Sequence, residues 1–233
     1  MTSTKLKIIA CVTMLIDHAT LFFDSKADYN LVATMHAIGR LAFPIFAFLI
    51  AEGFYHTRNV YKYLSRLLLF AIISQIPYNI VFQHEWIQWD QLNILFNFFF
   101  ALFALWIYKK NKYAGIVAVI VISYLNQSVI HTGYGAYGIL LVFFFYIFRG
   151  SFIKQAGSLT ILMAAYITEL LIRFYPRTSF YMFLQGFAVL SLFILYFYNG
   201  KKGKDIKYLF YVFYPTHIAL LGIVNWLVKY KLS

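Results

Sequence analysis

The chain has 233 residues, of which 62% are hydrophobic and 21% aromatic, and its mean hydropathy is +0.72. These values exclude an ordinary water-soluble domain. The net charge of +12 resembles a nucleic-acid signal, but the basic residues lie between apolar runs, where they orient a membrane protein and meet anionic lipid. The expected partner is therefore the lipid bilayer and not nucleic acid.

Apolar runs of about 18 residues or more recur along the chain, long enough to cross a hydrocarbon core of ~30 Å. In chain order, nine spans are predicted at 5–23, 32–55, 60–82, 91–109, 112–126, 134–149, 152–174, 179–198 and 206–229. Breakers separate them at Asp24 to Asn30, Gln83 to Asp90, Asn126 to Gly133, Pro176 and Asn199-Gly200. The expected fold is all-α, a polytopic transmembrane helix bundle forming one domain over 1–233, with loops too short for a soluble domain and no internal repeat. Lys5 and Lys7 ahead of the first run imitate a signal peptide. Asp17-His18 interrupts that run, however, and no small-x-small site follows, so an uncleaved first helix is expected. Cys11, the one cysteine, is expected to pack in the core.

Charge asymmetry sets the orientation. One set of alternate span ends carries Lys5, Lys7, Arg58, Lys62, Arg66, Lys109, Lys110, Lys112, Arg149, Lys154, Lys201, Lys202, Lys204 and Lys207; the other carries Lys26, Arg173, Arg177, Lys229 and Lys231. The imbalance of 14 against 5 places the N-terminus in the cytoplasm. Nine spans then put the C-terminus outside, and Glu85 and Asp90 fall in an outer loop. At 1.5 Å of rise per residue, His18 and Glu169 lie about 8 Å below the outer face and Arg40 about 12 Å. Gln75, Asn93 and Asn97 extend this outer polar layer.

A charged side chain in hydrocarbon costs roughly 2.5–3.5 kcal/mol even on lenient scales, so Asp17, His18, Arg40 and Glu169 mark a polar site. Adjacent helix residues point about 100° apart, and only i,i+3 or i,i+4 pairs share a face. Asp17 is therefore expected to face Arg40 while His18 looks into a cavity. The competing reading is an Asp–Arg tie between helices. Arg40 precedes Pro44, which is expected to kink its span. His217 lies near the middle of the last span, after Tyr214-Pro215. Glu52, His56, Thr57, Arg58, Lys62 and Arg66 gather at an inner helix end, where cations and a hydroxyl suit phosphates but also suit lipid headgroups. His36, His84 and His131 lie in or near outer loops and receive no role. No metal-ligand spacing, no GxSxG, no P-loop and no nucleotide-binding glycine string occurs. Chemistry must come from residues converging from several helices.

Several segments together resemble the TraX family, membrane proteins linked to conjugative transfer and N-terminal acetylation of pilin. They are Leu6-Lys7-Ile8-Ile9-Ala10 leading to Leu15-Ile16-Asp17-His18; the stretch from Gly39-Arg40-Leu41-Ala42-Phe43-Pro44 through Ala51-Glu52-Gly53-Phe54 to His56-Thr57-Arg58; Tyr63-Leu64-Ser65-Arg66-Leu67; Ser74-Gln75-Ile76-Pro77; and Lys207-Tyr208-Leu209 through Tyr214-Pro215-Thr216-His217. The sequence departs from the family's pattern at Asn97 and Ala101 in the fourth span and at Gly133 before Tyr134-Gly135.

The resemblance implies a multi-pass acetyltransferase of the bacterial cytoplasmic membrane, using acetyl-CoA and no metal. Its phosphates would sit near His56, Arg58, Lys62 and Arg66. His18 would be the base for an attacking amine or hydroxyl, oriented or charge-balanced by Asp17 or Glu169, with Arg40 and Asn93 at the developing oxyanion and His217 as a further candidate. The acceptor, a peptide or a small molecule, is left open. Two other classes stay open beside it: a proton-coupled secondary transporter, since buried Asp, His and Arg also build proton relays, and a non-catalytic membrane component of a conjugation or secretion complex.

Overall fold

The computed structural model describes residues 1–23, 28–204 and 206–232. Of the predicted break from Asp24 to Asn30, residues 24–27, with Lys26 among the outer-end bases, lie outside the described residues. No strand longer than the single parallel bridge Leu92–Thr132 occurs among them. Among the described residues, nine helical stretches follow the nine predicted spans in order. Five of them, Tyr29–His56, Val60–Gln83, Lys112–Ile130, Phe152–Phe174 and Tyr208–Val228, are long and apolar enough to cross a membrane. The chain is a multi-pass membrane protein. Helix α6 (Lys112–Leu125), α8 (Phe152–Phe174) and α11 (Lys207–Leu232) expose most of their apolar side chains, as lipid-facing helices do, because hydrocarbon solvates those side chains as well as a core would.

The residues pack into two compact units: Met1–Phe46 with the chain from Phe152 onward, and Ala47–Ser151.

The first unit contains α1 (Ser3–His18), α2 (Tyr29–Gly39), the start of α3 (Ala42–His56), α8, α9 (Phe180–Phe183), α10 (Ser191–Tyr196) and α11. Opening N–H groups of a helix have no partner inside it. In α1 they find the chain around Lys201: Ser3 and Thr4 N–H donate to the carbonyls of Lys201 and Lys202 at 2.9 and 3.1 Å, and the Met1 amino group donates to the Phe197 carbonyl. Gly203 passes so close, with φ +77°, that a Cβ there would meet the Thr2 and Thr4 hydroxyls. The predicted kink at Pro44 is instead a break just ahead of it. Helix α2 ends at Gly39, and Pro44 lies in the first turn of α3, where its missing N–H costs no intrahelical bond.

The second unit contains most of α3, α4 (Val60–Tyr78), α5 (Ile94–Lys110), α6 and α7 (Gly135–Ile147). Asn59, Asn93 and Asn111 cap α4, α5 and α6 by accepting a backbone N–H. Helices α4 and α6 each finish in a π-helical turn, Asn79–Gln83 and Asn126–Ile130, closed by His84 and His131 in left-handed conformations. Amide and hydroxyl side chains beside these turns bond to one another and to nearby backbone. Gln75 Nε2 donates to Asn79 Oδ1 at 2.7 Å and the Gln91 carbonyl at 2.9 Å, and Gln75 Oε1 accepts from Asn93 N and Nδ2. Beside it, Asn97 Nδ2 donates to Thr132 Oγ1 at 2.7 Å, and that hydroxyl donates to Asn126 Oδ1 at 2.9 Å.

Candidate functional site

The first unit holds two imidazole pairs, built on neighbouring residues at the C-terminal end of α1. Asp17 and His18 point in different directions, as their adjacency requires, and each meets a histidine of another helix.

His18 Nδ1 lies 2.8 Å from His217 Nε2. The ring planes are within 7° of parallel, with centroids 5.0 Å apart. His217 Nδ1 lies 2.7 Å from the Phe213 carbonyl, one turn earlier in α11, and Phe213 stacks on the ring at 4.5 Å. A carbonyl only accepts, so the hydrogen of His217 must sit on Nδ1, and neutral His217 then offers a lone pair at Nε2. His18 fills it with its Nδ1–H. Neutral His18 is thereby left with its own lone pair on Nε2, the atom that can act as base or nucleophile. His217 is 5% exposed, so this orienting chain is sheltered while His18 remains half-buried.

Asp17 makes the other pair. Its Oδ1 accepts from His36 Nδ1 at 2.7 Å and from the Arg40 guanidinium at 3.2 Å, while Arg40 Nε donates to the His36 carbonyl at 3.3 Å. Gly39 lets α2 approach: a Cβ there would fall on the Asp17 side chain. His36, dismissed on sequence as lying near an outer loop, is inside α2 and bonded to the carboxylate. The signal for it was available, because His36 and Arg40 are four residues apart and share one helix face. The edge of Tyr181 meets the His36 ring at 5.7 Å and 85°.

Glu169 lies elsewhere in this unit, half exposed on α8 and paired with Arg173 at 3.1 Å.

The remaining sequence candidates lie in the second unit. Arg58 and Lys62 are exposed and Arg66 half-buried. Lys62 and Arg66 share a face of α4 one turn apart. His56 lies 3.5 Å from Glu52, and Glu52 is held more firmly by a residue given no site role from the sequence: Arg149 donates from Nε to Glu52 Oε1 at 2.6 Å and stacks 3.6 Å above the Tyr55 ring. Asn93 spends both amide hydrogens on the Ala71 carbonyl and Gln75 Oε1, and its Oδ1 on Leu95 N–H. It is a helix cap within a structural network. Among the described residues no group of three or more His, Cys, Asp or Glu is placed to hold a metal.

The family model described as TraX protein matches residues 2–225. The chain is 31% identical over 231 residues to a probable fimbrial assembly protein, FimC of serogroup H1, from Dichelobacter nodosus, covering 93% of each protein. It is 25% identical over 229 residues to Protein TraX of Escherichia coli, covering 94% of this chain and 85% of that protein. No solved structure matches.

Proposed function

The chain belongs to the TraX family, and from that premise we propose that it is an integral membrane acetyltransferase that moves acetyl from cytoplasmic acetyl-CoA to an amine or hydroxyl acceptor at or beyond the membrane. The observation that carries the reading is the chain from the Phe213 carbonyl through His217 to His18. It fixes one tautomer and leaves Nε2 of a half-buried imidazole as the proton acceptor. This is the logic of an activated nucleophile or base held by a third group.

In the reaction, His18 Nε2 takes the proton of the attacking acceptor as the new bond to the acetyl carbon forms, then passes it to the departing thiolate. Charge develops on the carbonyl oxygen, and Arg40 is the cation proposed to face it. Asp17 balances Arg40 in the resting protein. His56, Arg58, Lys62 and Arg66 are proposed to hold the phosphates of CoA. Support for this comes from the exposure of Arg58 and Lys62 and from the shared helix face of Lys62 and Arg66. The name of one relative, a probable fimbrial assembly protein, favours a pilin-like peptide terminus as the acceptor. The proposal includes the orientation derived from charge, with the N-terminus in the cytoplasm.

The test is incubation of the purified protein, in liposomes, with acetyl-labelled CoA. Protein-dependent release of CoA and transfer of label to an added amine are expected. No release above the protein-free control contradicts the reading.

A further inference from the structure

We propose that His36, held by Asp17, is a second proton acceptor of this site, which takes the first of the two protons an ammonium acceptor must lose; the proposal rests on the acetyl-transfer reading above. A carboxylate oxygen only accepts, so the 2.7 Å contact with Asp17 puts the hydrogen of His36 on Nδ1. The 3.4 Å approach of the Arg40 guanidinium to the same nitrogen is then a contact and not a hydrogen bond. Nε2 of His36 carries the lone pair, as Nε2 of His18 does. The two imidazoles are oriented independently, one by Asp17 and the other by His217.

One base is enough for a hydroxyl acceptor. An ammonium needs two, because its nitrogen goes from three hydrogens to one in the amide. His36 Nε2 takes the first proton, breaking one N–H bond and exposing the lone pair. The nitrogen then forms the bond to the thioester carbon while its second proton goes to His18 Nε2. The C–S bond breaks and its electron pair stays on sulfur. The thiolate takes the proton from His18, leaving amide and CoA thiol, and the proton on His36 leaves to water. The groups facing His36 fit this. Asp17 from α1 stabilises the imidazolium that forms, and Arg40 from α2 keeps the cluster from accumulating negative charge. From the segment after α8 comes Tyr181, against the ring. Its hydroxyl is buried and makes no hydrogen bond within the described residues. It is a polar atom that a bound donor would satisfy, and leaving it unmet is unfavourable.

The experiment uses the purified full chain with acetyl-CoA and two probes: n-butylamine, an ammonium at neutral pH, and hydroxylamine, which is largely unprotonated there. In His36→Asn the amide nitrogen still donates to Asp17 in place of Nδ1, but no base remains. Acetylation of butylamine at neutral pH is expected to fall about 10²–10⁴-fold and that of hydroxylamine far less. The butylamine rate should recover as pH rises toward the amine's own titration. His18→Ala should lose both probes. His36→Gln, which also lacks the base, replaces His36→Asn if the latter does not purify folded. Equal losses on both probes, without recovery at high pH, would make His36 a packing residue and overturn the proposal, as would an undiminished butylamine rate. A wild type that consumes no acetyl-CoA with either probe overturns acetyl transfer itself, and this proposal with it.

Discussion

Glu52 is 6% exposed in the apolar α3, and Arg149 answers it through two nitrogens at 2.6 and 3.4 Å. Replacing Arg149 by alanine leaves the carboxylate in place with His56 at 3.5 Å as its remaining named partner. An uncompensated buried charge costs about 3–5 kcal/mol. His56 is 56% exposed and can move closer, so the lower end, about 3 kcal/mol, is the expectation. A chain of this size loses about 2–4 °C of Tm per kcal/mol, which makes the expected drop about 6–12 °C. Glu52→Gln is a smaller perturbation. It keeps an oxygen for Arg149 Nε, and Arg149, 31% exposed, reaches water, so the loss should be about 1.5 kcal/mol, the low end for a charged hydrogen bond. The double substitution Glu52→Gln with Arg149→Ala should cost less than the sum of the singles, because the partners share one interaction. Thermal unfolding in one detergent, followed by intrinsic fluorescence, measures all three. An Arg149→Ala protein melting within about 2 °C of the wild type would refute the reasoning and show that Glu52 is not held as an anion.

Gly39→Ala should push α2 away from α1, because its Cβ would overlap the Asp17 side chain; overpacking of this kind costs about 1–3 kcal/mol, and the thermal melt should show it together with loss of acetyl transfer. Gln75→Leu removes the acceptor of Asn93 N and Nδ2 and the donor to Asn79; at about 1–3 kcal/mol for each orphaned group it should unfold the second unit, and normal yield and melting would contradict the network. His217→Gln keeps a hydrogen-bond acceptor for His18 Nδ1–H and should retain more acetyl transfer than His217→Phe, measured at equal acetyl-CoA; equal rates would remove His217 from the orienting chain.

The spans were legible because hydrophobic runs are local, and their order follows the helices observed. Where helices stop was less legible. The π-helical turn at Asn126–Ile130 carries α6 beyond its predicted span, and the one at Asn79–Gln83 changes the geometry at the end of the span predicted for α4. They depend on where Gln75 and Thr132 find partners, which no window of sequence reports. The partner of Asp17 was legible, since Arg40 is an opposite charge within the next apolar run. For His36 the sequence carries only its four-residue spacing from Arg40; its bond to Asp17 depends on the close approach at Gly39, which is tertiary. The bond between His18 and His217 joins residues 199 positions apart, and only the packing of α11 against α1 creates it. Glu169 pairs with Arg173 four residues on in its own helix, a partner that depth alone does not report.

The most direct measurement of the central claim compares wild type and His18→Ala for transfer of label from acetyl-CoA to an amine, with the melting temperature of each recorded in the same detergent. The account predicts that His18→Ala inserts, purifies and melts close to the wild type but loses transfer by about 10²–10⁴-fold, the contribution of a positioned base. A His18→Ala protein that keeps most of its transfer rate, or one whose lost rate is matched by a collapse in melting temperature, would contradict it.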